Sequence, residues 1–178
     1  LSVKDREFWD ESTEEFTFAK GGTLKLEHSL VSISKWEAKW HKSYFETESK
    51  TMEQMLSYIE CMTINSDVPK SVYAALSPTD FKKIVDYIED PMTATTIRED
   101  PKSKTKKSQF ITSELIYYWM IQFGIPVEFE KWHINRLTTL IRVCSEENKP
   151  AKKVNPEDTA RRYRELNKAR KAKYHTRG

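Results

Sequence analysis

The sequence predicts a mainly α fold: a helical bundle around a central helical hairpin, with a short N-terminal β-hairpin and a C-terminal basic helical arm. Three observations lead to this prediction. Only 4 of the 178 residues are Gly, which is too few for an all-β sandwich. Apolar residues recur at helical spacing through most of the chain. Charge is divided between the ends, because residues 1–30 hold seven acids and four bases whereas residues 149–178 hold eleven bases and three acids.

The first segment, residues 1–30, is predicted to form a β-hairpin. Phe16 and Phe18, followed by Leu24 and Leu26, alternate with polar residues on either side of the pair at 21–22. Alternation of this kind around Gly-Gly is typical of a strand, a tight turn and a second strand.

Residues 31–148 are predicted to be a helical core domain that begins with several capped helices. A capping box at 34–37 includes Trp36, which is followed one turn later by Trp40, and a second box at 51–54 opens the next helix. Asp67 and Ser77 are predicted to cap two short helices that follow.

The predicted central hairpin follows a loop at 91–109 that is rich in proline, threonine and lysine. A helix beginning at Thr112 contains the run 115–121, which is apolar on every side, so we expect this helix to be buried all round. Gly124 suits the position after a helix end, and Pro126 suits the start of the next helix.

The second helix of that hairpin, about 126–147, places three notable residues on its apolar arc: Trp132, His133 and Arg136. We predict that they are buried structural residues. Arg136 lies one turn after Trp132, where it can stack on the indole and pair with Glu130 or Glu114. A buried Arg136 would cost about 3–5 kcal/mol on removal. For His133, a core imidazole bonded to a backbone carbonyl is favoured over a catalytic base.

The last segment, residues 149–178, is predicted to be a basic arm whose helix begins near Asn155. Its apolar residues are few and small, so it cannot bury much surface. The helix start and the tyrosines favour an arm that folds on a partner over a merely solvated tail. The candidate partner-binding residues are Arg161, Arg162, Tyr163, Arg164, Leu166, Lys168, Arg170, Lys171 and Lys173.

The sequence lacks the common motifs of catalysis and cofactor binding. It has no Gly-rich phosphate loop, no H-E-x-x-H, no C-x-x-C pair and no G-x-S-x-G. Its four histidines fall in four different predicted elements, and Cys61 and Cys144 are expected to be reduced core residues. We therefore predict a protein that is not an enzyme, without cofactor, metal or catalytic residues. No run is long and apolar enough for a membrane span, and no signal peptide is recognised.

Five stretches of the chain resemble a family of proteins encoded by tailed bacteriophages. They are LEHSLVSISKWE at 26–37, DPMTATT at 90–96, ITSELIYYWM at 111–120, KWHINRLTTLIRVC at 131–144 and LNKARKAKYHTRG at 166–178. The resemblance covers about five-sixths of the chain and leaves out the first 25 residues. It implies a morphogenesis protein of the host bacterial cytoplasm, similar to tail-assembly chaperones and acting on a tail protein, with the tape-measure protein as first candidate.

Two other function classes stay open at this stage. One is a structural tail or virion subunit, and the other is a nucleic-acid-binding protein that uses the basic arm. A homo-oligomer is compatible with each class, whereas a membrane partner is not expected. The alanines and Leu166 within the arm favour a helix that docks on a protein surface.

Overall fold

A computed structural model describes residues 1–11, 14–47, 49–96, 110–148 and 156–174, and its fold is mainly α, as predicted. The chain divides into two compact units, Leu1–Glu147 and Asn148–Gly178, each of which is described by itself. The helices of the first unit in these ranges are α1 (Leu30–Trp40), α2 (Met52–Met62), α3 (Lys70–Ala74), α4 (Pro78–Glu89), α5 (Ser113–Gln122), a 3-10 helix (Val127–Lys131) and α6 (Ile134–Glu147). The second unit contains α7 (Pro156–Tyr174).

The N-terminal strands form the predicted β-hairpin, a two-stranded antiparallel ribbon, but its turn lies earlier in the chain than expected. Strand β2 (Arg6–Asp10) pairs with β3 (Glu15–Ala19), and β1 (Ser2–Val3) pairs with β4 (Gly22–Thr23) in the same register. The ribbon therefore turns between Asp10 and Glu15. The prediction that Phe16 and Phe18 pair across Gly21-Gly22 with Leu24 and Leu26 was wrong, because their strand pairs with the residues that precede it.

Gly21 has a different role from the predicted turn. It lies where the ribbon is interrupted, and its backbone N–H donates to Asp5 Oδ1 at 2.8 Å. A Cβ atom added at Gly21 would lie 2.2 Å from the carbonyl oxygen of Val3. Glycine is needed here because the opposite strand approaches too closely for a side chain.

Helix α1 begins earlier than predicted. Ser29 is its N-cap and forms a capping box with Ser32, so the box predicted at 34–37 was wrong. Glu37 lies inside the helix and is buried, and its carboxylate accepts hydrogen bonds from the backbone N–H groups of Tyr44 and Ser113, each at 2.8 Å. The carboxylate thus joins α1 to the loop after it and to the first turn of α5.

The next three helices show how local caps determine their starts. Thr51 and Gln54 form the predicted capping box of α2. Ser77 caps α4 with Pro78 in the first turn, also as predicted. Asp67 is not a cap, because Pro69 precedes α3 and Asp67 adopts a positive φ of 60° in the loop before it.

The core is built mainly where α1 packs against α2 and α5. Each of these helices, and also α6, contributes fully buried large side chains to the core, and Leu24 does so just after the ribbon. These side chains include Leu24, Leu30, Ile33, Trp36, Tyr58, Ile59, Met62, Ile116, Ile134 and Leu137. Leu26, expected in a strand, instead bridges to Thr63 at the end of α2.

Helix α5 is buried on one side only. Ser113, Ile116 and Met120 are buried, whereas Tyr118 and Ile121 are 53% and 77% exposed. The expectation of burial all round was wrong, because an apolar run shows that a helix can be buried without showing that neighbours cover every side. Gly124 follows the helix with φ +63°, the left-handed conformation predicted for this position.

The predicted helix 126–147 is divided in two. The 3-10 helix ends at Lys131 with Trp132 as its C-cap, and α6 starts at Ile134. Between them, His133 forms a β-bridge with Ser29, and the N–H of Ile134 donates to the carbonyl of His28 at 2.9 Å. A backbone hydrogen bond to a distant segment thus replaces the helical one, which apolar spacing alone cannot reveal.

Candidate functional site

Helix α7 carries the residues that the sequence predicts to bind a partner. Its 19 residues span about 28 Å, and every side chain from Arg161 to Tyr174 is exposed. Pro156, in the first turn, suits the start of a helix, whereas Asn155 lies outside the described residues. The helix is therefore a pre-formed element with an open surface.

The large apolar side chains of α7 share one face. Tyr163, Leu166 and Tyr174 are between 44% and 65% exposed. At about 100° per residue, these three and Arg170 fall within roughly 80° of arc. We call this set the apolar face of α7. A spacing of three residues, counted from Ala160, does not reveal this face, because the alanines at that spacing lie on other sides of the helix.

The basic side chains of α7 occupy most of the remaining surface. Four of them, at 161, 164, 168 and 171, fall on an arc of about 80° centred some 140° from the apolar face. Arg162 and Lys173 lie between the two, and Lys173 Nζ is 5.6 Å from the ring centroid of Tyr174. A partner seated on the apolar face would therefore find cations at its rim.

A second exposed apolar surface lies on the ribbon and was not predicted. Trp9, Phe16 and Phe18 are 52%, 73% and 59% exposed. Trp9 pairs with Phe16 and Glu7 with Phe18, so these four residues share one face of the sheet. The rings of Trp9 and Phe16 meet edge to face at 5.1 Å. We call this the aromatic face of the ribbon. The alternation at Phe16 and Phe18 was a sequence signal for this face. Trp9 was missed because Phe16 and Phe18 were predicted to pair with the residues after them instead of the residues before them.

Trp132 and Arg136 meet as predicted, but not in the core. Arg136 Cζ lies 4.0 Å from the centroid of the Trp132 ring, and Phe129 stacks on the same ring at 3.9 Å. Trp132 is half-buried and Arg136 is exposed, so the prediction that Arg136 is buried was wrong. Its long side chain covers the indole while the guanidinium stays in water. The expected partner Glu130 instead accepts a hydrogen bond from Tyr117 Oη at 2.8 Å.

His133 is half-buried, and both of its ring nitrogens are used. Nε2 donates to the carbonyl oxygen of Tyr87 at 2.9 Å, which is the predicted kind of bond, and Nδ1 accepts from the backbone N–H of Asn135 at 3.3 Å. The imidazole is thus oriented by backbone groups on both sides.

A buried polar cluster lies beside His133. His28 Nδ1 is 2.5 Å from Tyr58 Oη, and the ring of His28 meets that of His133 at 4.9 Å. Burial first, then the nearby His133 and Lys50, lower the pKa of His28 from 6.5 to about 3. His28 is therefore neutral at pH 7, and both it and Tyr58 are sealed from solvent.

Tyr44 and Lys50 complete this cluster. Burial raises the pKa of Tyr44 to about 12, and burial also lowers the pKa of Lys50. Lys50 Nζ lies 4.1 Å from the ring centroid of Tyr44 and donates to the carbonyl oxygens of Tyr44 and Thr47. Each group is engaged with an internal partner, so the cluster can orient the core.

A polar cleft of about 430 Å³ separates the start of the ribbon from α4. Arg6 lines it and donates from Nη1 to the carbonyl of Leu76 at 3.0 Å. Asp80, its buried carboxylate, accepts from the backbone N–H and the hydroxyl of Ser77 at 3.1 and 2.6 Å. The polar side chains of this cleft thus help to fix α4.

The remaining potential metal ligands and the two cysteines do not form a cluster within the described residues. Among the described residues, no three His, Cys, Asp or Glu side chains lie close enough to hold a metal ion. Cys61 and Cys144 are not joined in a disulfide, and both are half-buried. None of the helices in the described ranges is long and apolar enough to cross a bilayer.

In comparisons with known proteins, no protein family, no curated protein and no solved structure matches this chain.

Proposed function

We propose that this chain is a non-enzymatic factor of phage tail morphogenesis that captures a tail protein, the tape-measure protein first, through α7. Two arguments support the proposal. The sequence stretches resemble proteins of tailed bacteriophages, and α7 presents an open apolar face that includes Arg170 and is flanked by Arg162 and Lys173. The apolar face, formed by Tyr163, Leu166, Arg170 and Tyr174, is the observation that carries it.

The chemistry of α7 defines what its partner must offer. An amphipathic helix lays its apolar face into a groove, where residues three, four and seven apart act as anchors. Burying the exposed parts of Tyr163, Leu166 and Tyr174 would contribute about 1–2 kcal/mol each. That sum alone gives weak binding, so acidic groups around the groove must add to it through the exposed bases.

Capture by α7 can be tested with purified tape-measure fragments immobilised on beads. The variant Tyr163→Ser with Leu166→Ser removes the apolar face but keeps every charge, and we expect capture to fall at least about tenfold. The matched control, Ala169→Ser with Ala172→Ser, changes the same helix outside that face. Capture that survives the first variant, or is lost with the control, would contradict the proposal.

A structural subunit of the virion is the rival within the same class of function. Both proteins would bury one helix face against a partner, so geometry does not separate them. Mass spectrometry of purified particles does so. An assembly factor is absent from the finished tail, whereas a stoichiometric signal from this chain would replace the chaperone proposal with a structural one.

A nucleic-acid binder is the second rival, favoured by the seven bases of α7. If the helix bound DNA through about five phosphates, the affinity would fall with salt at a log–log slope of about −4 to −5. Docking in an apolar groove gives a shallow slope, because salt screens only the exposed charges. We expect the shallow slope for the protein partner and no micromolar duplex binding at physiological salt.

A further inference from the structure

The aromatic face of the ribbon is an exposed surface that the proposed function does not use. Trp9, Phe16 and Phe18 stand on one side of a two-stranded sheet, and each is more than half exposed. The opposite side is different, because Phe8 there packs against the core and Ala19 is buried. Clustered exposed aromatics of this kind mark an interaction surface.

The charge around this face limits what can bind it. Residues 6–19 hold five acids and one base, an excess of four acids. The exposed acids include Glu7, which shares the aromatic face, and Glu11, Glu14 and Glu15 near the tip. Two copies of the ribbon would place these carboxylates against each other, and like charges brought together oppose docking. The partner must therefore be basic and carry apolar anchors.

Helix α7 has the complementary properties. It holds seven bases and three acids, an excess of four bases, and its apolar face bears two tyrosines and a leucine. Two copies of α7 would repel each other for the same reason as two ribbons. The lengths also agree, because the segment 163–174 is about 17 Å long as a helix and a five-residue strand is also about 17 Å long.

We infer that the ribbon of one copy of this chain binds α7 of a second copy, with the aromatic face against Tyr163, Leu166 and Tyr174. The acids of the ribbon then lie beside the bases of α7. Such an interface is head to tail, so each bound pair keeps one free ribbon and one free α7, and association continues into chains or closes into a ring. The inference needs only the purified chain and does not rest on the identity of a tail protein.

Sedimentation velocity on purified variants tests this association. The ribbon variant, Phe16→Ser with Phe18→Ser, changes two exposed side chains and keeps the strand backbone. The α7 variant is Tyr163→Ser with Leu166→Ser. At about 10–100 μM, we expect the unaltered chain to form dimers and larger species, and each variant alone to stay monomeric, with its dissociation constant raised at least about tenfold.

An equimolar mixture of the two variants gives the sharpest result. Each supplies the surface that the other lacks, so the mixture should form a one-to-one dimer and nothing larger. A control variant, Ile121→Ser, removes an exposed apolar side chain of α5 and should associate like the unaltered chain. Circular dichroism confirms that all variants are folded.

A variant that reverses two charges of the ribbon and keeps its aromatic rings gives an independent test. Glu7→Lys with Glu15→Lys should weaken association at low salt, and raising the salt should weaken association of the unaltered chain. A monomeric unaltered chain, association by either single-surface variant alone, or a monomeric mixture would each overturn the inference. Failure of the unaltered chain to capture the tape-measure fragment, with self-association intact, would instead contradict only the proposed function.

Discussion

The unit Leu1–Glu147 and helix α7 use their polar residues in opposite ways. In the first, His28, Glu37 and Tyr58 are buried, and each has an internal hydrogen-bond partner. In α7, polar side chains cover an exposed helix, and Tyr163 and Leu166 lie open among them. The difference teaches that these buried polar residues specify a fold, whereas α7 presents a surface to something outside it.

The unit Leu1–Glu147 also shows why its buried polar groups are needed. No side-chain nitrogen or oxygen buried within the described residues lacks a hydrogen-bond partner. Satisfied groups of this kind specify a single packing arrangement, while removal of one partner leaves another polar group stranded in the core. Substitutions of these buried polar residues should therefore affect stability, and substitutions in α7 should affect binding.

Glu37 should give the largest effect on stability. Glu37→Ala leaves the N–H groups of Tyr44 and Ser113 without their acceptor, and we expect a loss of about 3–5 kcal/mol in the free energy of unfolding. Glu37→Gln keeps one acceptor oxygen and should lose less. Urea denaturation measures both, with the exposed Glu53→Ala as a control expected to change stability by about 0.5 kcal/mol or less. An equally small effect of Glu37→Ala would show that its two bonds do not matter.

Gly21 should come next. Gly21→Ala places a methyl group against the backbone of Val3, and the ribbon must shift, at a cost of about 2–3 kcal/mol. Gly124→Ala is the matched comparison, because a Cβ there meets nothing within 4 Å but the positive φ strains it by about 1 kcal/mol. Thermal melting of the two variants should rank Gly21 as the more sensitive position, and the reverse order would contradict the close approach.

His28 makes the stability of the unit Leu1–Glu147 depend on pH. Its pKa is about 3 when folded and about 6.5 when unfolded, so the unfolded chain takes up the proton first as the pH falls. The stabilising contribution is full above pH 6.5 and is lost towards pH 3, which amounts to about 2 kcal/mol between pH 7.5 and pH 5. His28→Gln removes this titration. Urea midpoints should therefore fall less steeply with acid in the variant, and parallel pH profiles would refute the assignment.

Arg136 should have a smaller effect than Glu37, Gly21 and His28. Because it is exposed on the Trp132 ring, Arg136→Ala should cost about 0.5–1 kcal/mol rather than the 3–5 kcal/mol expected of a buried cation. Arg136→Lys, which keeps the charge, should recover part of the loss. A melting shift as large as that of Glu37→Ala would restore the original prediction of burial.

Local signals in the sequence predicted local structure well. The capping box at Thr51, the cap at Ser77 and the left-handed glycine at Gly124 each depend on residues within a few positions of one another, and each was confirmed. The mainly α fold follows from such signals together with helical spacing. The stacking of Arg136 on Trp132, one helical turn apart, belongs to the same class.

Contacts between distant residues explain what was missed. Strand β3 pairs with residues before it instead of after it, and Glu37 bonds to Ser113, 76 positions away. The aromatic face of the ribbon needed the correct pairing of Trp9 with Phe16 before it could be seen. In α7, by contrast, the partner-binding residues were proposed from the helix start, the tyrosines and the run of bases. The apolar face appears only when the helix is laid out by angle.

Deletion of residues 155–178 tests most directly whether folding and binding belong to different regions. One truncated protein serves for both readouts: thermal melting, and capture by the immobilised tape-measure fragment. We expect a melting temperature within about 2 °C of that of the full chain, because a shift of that size reports less than about 1 kcal/mol, together with complete loss of capture. A truncated chain that melts far lower, or one that still captures the fragment, would contradict the division.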